Sequence, residues 1–208
     1  MNAKQANERA DLDALLRRLS QLDGLTPSAI EPSTGKSPDF ILTVTGEKIG
    51  VEVTRSVHQE YVRAMKLHAS DCPNSWINLT HLVDRPRRRP NAEIRSSILS
   101  GLLSPWKRVD LSMIEWKNKI GASLLAKRRA LNRPSYQTFR ENWLLIHDTS
   151  GLPDYPEHFT LACRHLDELF LKPGTFPRDF DCVFIHSHLF LFRWAKGALD
   201  YSYDNHEG

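Results

Sequence analysis

Apolar positions recur along this chain at two different spacings, and the spacing sorts its segments. Leu12, Leu15, Leu16, Leu19 and Leu22, in "ADLDALLRRLSQL", fall three or four residues apart and predict an amphipathic first helix. "DFILTVTG" and "KIGVEVTRS" are rich in β-branched residues and meet around Gly46, which predicts a hairpin. From about 57 to 110 the pattern is mixed: "HQEYVRAMKLHA" and "AEIRSSILSGLL" have helical spacing, while "DCPNSW" and "DRPRRRPN" are turn or loop sequences. Met113, Ile114, Ile120, Leu124 and Leu125 then mark a long helix that "NRP" stops. The continuous apolar run of "ENWLLIHD" predicts a buried strand. "FTLACRHLDELFL" follows as a helix, "DCVFIHS" and "LFLFRWA" as two strands, and the polar "DYSYDNHEG" as a frayed tail.

A strand, a helical crossover and a further strand make a parallel pair, whereas a hairpin is antiparallel. The expected fold is therefore α/β, a mixed sheet flanked by helices on both faces. No internal repeat and no low-complexity linker breaks the chain, so residues 1–208 are expected to form one domain with a helical insert at about 57–110. At 208 residues, 40% hydrophobic and 25% charged, the composition is that of a soluble globular protein. No apolar run reaches 18 residues, so no membrane association is expected. The first 20 residues carry acids and no uncharged apolar core, unlike a secretory signal. Cys72, Cys163 and Cys182 form no CxxC pair, which suits reduced thiols and a cytoplasmic setting.

The net charge is only +3, but its distribution is uneven. Arg85, Arg87, Arg88 and Arg89 crowd "DRPRRRP", and Lys127, Arg128, Arg129 and Arg133 crowd "AKRRALNR". Such clusters suit a polyanion, or are simply solvated surfaces.

Two acids stand out against this pattern. In a strand alternate residues share a face, so Ile49, Val51 and Val53 point one way while Gly50, Glu52 and Thr54 point the other. With the apolar set in the core, Glu52 and Thr54 are expected on a second, partly open face. Asp39 begins the neighbouring strand after Pro38, and the start of one hairpin strand lies near the end of its partner. Two carboxylates that close repel unless a cation sits between them. Magnesium favours such a site, with one or two carboxylates, waters and phosphate oxygens as ligands.

"PDF" followed by "IGVEVT" resembles the core motif of the PD-(D/E)xK nuclease superfamily, and most closely its Glu-Val-Thr subset. The likeness covers roughly residues 8 to 60 and 111 to 148. It implies a restriction-endonuclease-like fold and a metal-dependent endonuclease that hydrolyses phosphodiester bonds in DNA, with RNA as the alternative substrate. It further implies that Asp39, Glu52 and the Val53 carbonyl hold Mg2+, or Mn2+ in its place. The arginines at 85, 87, 88 and 89 would contact phosphates, and a homodimer would suit cutting both strands. The motif's usual lysine is replaced here by Thr54. In parts of the family that lysine has moved to another element, and Lys119 or Lys117 in "EWKNK" is the expected substitute, Lys119 preferred because it adjoins Ile120 and the apolar stripe. A further acid from the first helix or its exit would be Glu31 or Glu8. If no lysine reaches the acids, the alternative is a non-catalytic module on a degenerate nuclease fold, binding nucleic acid or protein.

Other chemistry has less support. His186 and His188 share a strand face and could bind zinc, but no third ligand recurs at a suitable spacing. Glycine-rich phosphate loops and nucleophile elbows are absent.

Overall fold

The computed structural model of the protein describes residues 3–33, 38–56, 59–71, 90–99, 109–149, 156–170, 176–187, 190–195 and 197–203. The chain runs α1 (Ala3–Asp23), β1 (Ala29–Pro32), β2 (Phe40–Val44), β3 (Glu47–Ser56), α2 (Gln59–Asp71), α3 (Asn91–Leu99), α4 (Val109–Leu131), β4 (Glu141–Asp148), α5 (Pro156–Phe170), β5 (Cys182–His186), β6 (Phe190–Ala195) and β7 (Ala198–Tyr203). All seven strands join one sheet in sequence order. β3, β4 and β5 run parallel, and the pairs on either side of them are antiparallel. The protein is thus an α/β protein with a seven-stranded mixed sheet and helices packed against it.

The sheet separates two cores. On one face α1 inserts Leu12, Leu15, Leu16 and Leu19 against Phe40, Leu42, Val51, Val53, Leu145 and Phe184. On the other, Trp116, Ile120 and Leu124 of α4 and Phe159 and Leu166 of α5 cover Leu144, Ile146, Val183, Ile185 and Phe192. Each face takes every second strand residue, as the pleat requires. α2 and α3, from the expected insert, pack on each other.

The β2–β3 hairpin closes through Thr45 and Gly46, both at positive φ (49° and 85°). Two consecutive left-handed residues make the tight turn whose twist matches the flanking strands. That turn sets the register Phe40↔Val51.

Two strands depart from the sequence expectation. β1 was not anticipated, and β7 runs to Tyr203 through residues expected to be frayed tail. Both lie at sheet edges. β1 carries Glu31 and Pro32, and β7 carries Asp200 and Ser202. Edge strands keep one side in solvent and tolerate polar residues and proline, so they lack the apolar signature that identifies central strands. No helix among the described residues is long and apolar enough to cross a membrane.

Candidate active site

Asp39 immediately precedes β2, and its backbone N–H donates to the Val51 carbonyl at 3.1 Å. This bond extends the ladder by one residue and sets Asp39 opposite Glu52. The Asp39 carboxylate turns back along the strand edge, where its Oδ2 accepts from the Val53 N–H at 2.9 Å. Val51 and Val53 are two residues apart, so the Val53 N–H and carbonyl both point toward this same edge. A carboxylate here thus continues the hydrogen bonding where the β2 backbone no longer can.

Glu52 projects from the opposite pleat to Val51 and Val53, as the alternation predicts. The face it enters is not open, however: α4 crosses there, and Glu52 is only 2% exposed. A charge so deeply buried requires a partner. Lys127 of α4 provides it, its ammonium donating to Glu52 Oε2 and lying 3.5 Å from Asp39 Oδ2. One ammonium therefore bridges two carboxylates contributed by two strands. Burial by itself would lower the Lys127 pKa, but the charges of Glu52 and Asp39 outweigh it, so the pKa is raised and the side chain remains an ammonium. Two carboxylates thus face one ammonium.

A third wall comes from the loop after α4. Asn132 seats the loop, donating to the Arg128 and Arg178 carbonyls (both 2.8 Å) and accepting from the Arg178 N–H (3.0 Å). Arg128 is clamped by Asp179 through two bonds of 2.8 and 2.6 Å. At the other end Asn142 bonds both the N–H and the carbonyl of Phe139, each at 3.2 Å. Between these anchors Phe139 lies over Gly50, where an added Cβ would come within 2.6 Å of its ring and 3.1 Å of Pro38. Only a residue without a side chain admits that contact. The same loop buries Tyr136 beside the acids. Burial, together with the charges of Glu52 and Asp39, raises the phenol's pKa above the ordinary tyrosine value, so the hydroxyl stays protonated.

The other candidates distribute as follows. Lys117 pairs with Glu168 of α5. Lys119 lies eight residues before Lys127, about 12 Å toward the start of α4 at 1.5 Å per residue. The lysine at the acids is Lys127, which the sequence reading had grouped with a basic polyanion cluster. Two members of that cluster, Lys127 and Arg128, in fact turn inward onto carboxylates. The sequence signal was available: Lys127 is seven residues after Ile120 and three after Leu124, on the buried stripe itself. Glu31 is exposed on β1, and Glu8 is buried on the α1 side of the sheet, paired with Lys4. His186 ends β5, facing His147 at a ring separation of 6.0 Å. Arg85, Arg87, Arg88, Arg89, Cys72 and His188 lie outside the described residues.

Hard oxygen donors from two carboxylates, with the Val53 carbonyl on the same edge, fit a magnesium ion that keeps several waters. Among the described residues no group of three or more His, Cys, Asp or Glu side chains converges as a closed metal cage. Comparison with family models, with curated proteins and with solved structures finds no match for the chain.

Proposed function

We propose that this protein is a metal-dependent nuclease of the PD-(D/E)xK type, with a restriction-endonuclease-like core formed by α1, β2, β3, α4 and β4. The observation that carries this reading is the convergence of Asp39, Glu52 and Lys127 on one point from three separate elements. The likeness of "PDF" and "IGVEVT" to the superfamily motif supports it, and so does the lysine arriving from a helix where Thr54 occupies the usual lysine position.

Asp39, Glu52 and the Val53 carbonyl would hold the divalent cation. When bound, that cation lowers the pKa of a water and neutralises charge on the scissile phosphate. The protein's own groups do the rest. The hydrogen bond from the Val53 N–H fixes the Asp39 carboxylate, so no side-chain freedom is lost when it takes up a ligand. Lys127, 22% exposed in its side chain, is the member of the cluster that can turn outward on its flexible stem. With a cation on the acids, its ammonium would orient the attacking water or contact a non-bridging phosphate oxygen. Such a contact strengthens as charge develops in the transition state.

A second reading shares the same key observation. A lysine seated on two acids is also a structural ion triad, and the protein would then bind nucleic acid or protein without cutting. Cleavage of supercoiled plasmid DNA by the full chain, with Mg2+ and with EDTA, separates the two. We expect Mg2+-dependent nicking, lowered at least about 100-fold in Asp39→Asn and in Glu52→Gln. Wild-type protein that leaves the plasmid intact in Mg2+ and in Mn2+ favours the binding module.

A further inference from the structure

Tyr136 sits in the wall of this site with its function unassigned. The residue is 6% exposed, and its buried hydroxyl lies within reach of Glu52, whose hydrogen bond helps to raise the phenol's pKa, but makes no hydrogen bond of full strict geometry among the described residues. Its loop is held at both ends, by Asn132 and by Asn142, and Phe139 rests on Gly50, two residues before Glu52 on the same pleat face. The loop is thus anchored at both ends, and the phenol lies near enough to Glu52 and Asp39 for both to raise its pKa. A buried hydroxyl held this poorly contributes little to stability, and a phenylalanine would fill the same core space without burying a polar group. A full bond to Glu52 would form only in a state of the site where the carboxylate is no longer held by Lys127.

Resting on the nuclease reading above, we infer that Tyr136 is a positioning residue: its phenol donates to the Glu52 carboxylate and holds it for a divalent cation once Lys127 has left that carboxylate. The reason is electrostatic. Lys127 and an incoming cation compete for the same two acids, and like charges exclude one another. When the lysine withdraws, Glu52 loses an ammonium donor in a place where water has little access. A neutral phenol can donate to a carboxylate oxygen while the carboxylate binds the cation through the other. Groups of this kind orient metal ligands, and their loss typically weakens metal binding by about 10–100-fold.

The test uses the full chain and Mn2+ alone, by calorimetric titration of wild type and Tyr136→Phe, with thermal melts of both proteins without metal. We expect Tyr136→Phe to melt at or above the wild-type temperature and to bind Mn2+ about tenfold more weakly. In plasmid cleavage its kcat should fall while the KM for DNA stays unchanged. A purely core role for the tyrosine would move neither the Mn2+ affinity nor kcat, and unchanged Mn2+ affinity in Tyr136→Phe overturns the inference while leaving the nuclease reading intact. If neither protein binds Mn2+ at millimolar concentration, the nuclease reading itself fails, and the role of Tyr136 with it.

Discussion

β3 carries a carboxylate–cation cluster on each of its two faces, and the two are built differently. On the α1 face, Arg55 grips Asp11 through two bonds of 2.6 and 2.8 Å. Nearby Glu8 is matched by Lys4 at 3.1 Å, and His147 lies 3.9 Å from Asp11. Acids and bases are balanced there, and the planar guanidinium engages both oxygens of its carboxylate. On the α4 face, two carboxylates share one ammonium, a point charge with no fork geometry. The first arrangement is closed, because a bidentate pair leaves little for a ligand to gain. The second sets two carboxylates against one ammonium on a flexible stem, the arrangement on which the proposed cation site rests. Burial and ion pairing are common to both clusters; stoichiometry and the geometry of the cation set them apart.

The contrast can be broken most sharply at the lysines. Lys127→Met keeps most of the side-chain length and deletes the charge. Turnover of plasmid DNA should fall by about 100–1,000-fold, the range seen when a group that stabilises transition-state charge is removed. Lys119→Met, altered at the lysine that adjacency to Ile120 and the apolar stripe favoured, should stay within a few-fold of wild type. Equal losses in the two variants would remove the distinction between Lys127 and Lys119.

Asp11→Ala examines the closed cluster. Its carboxylate is 6% exposed, and its removal leaves Arg55 without its fork partner. Breaking a fully buried pair costs about 3–5 kcal/mol. The Arg55 side chain is 38% exposed and can turn to water, so about 2–3 kcal/mol is the expected loss in chemical denaturation. Mn2+ affinity measured on the folded variant should not change. A large loss of Mn2+ affinity with little loss of stability would reverse the assignment of the two faces.

A smaller loss of stability is expected at Gly50→Ala. The new methyl must displace the Phe139 ring or the Pro38 ring. Overpacking of this size costs about 1–3 kcal/mol, here toward the lower end because a ring can shift. The displaced loop carries Tyr136, so Mn2+ affinity should drop along with stability, unlike in Asp11→Ala. Retained affinity at reduced stability would uncouple the loop from the acids.

Strand alternation in "KIGVEVTRS" was enough to send Glu52 to the face opposite Val51 and Val53, and the turn at Thr45–Gly46 was enough to set Asp39 beside it. Both are local consequences of pleat and hairpin geometry, with a period of two and a register fixed by a two-residue turn. The central strands and the helices were legible for the same reason, since burial on one or both faces stamps a period on the sequence. Three things depended on long-range packing. The edge strands β1 and β7 pair through backbone groups that any side chain permits, so their polar residues gave no signal. Coverage of Glu52 followed from where α4 crosses the sheet, which no local pattern encodes. The identity of the lysine followed from that same crossing. Along α4 the basic residues at 117, 119 and 127 differ in sequence only by their phase against the apolar stripe, and the tertiary contact with β3, 75 residues away from Lys127 in the chain, selects the last of them.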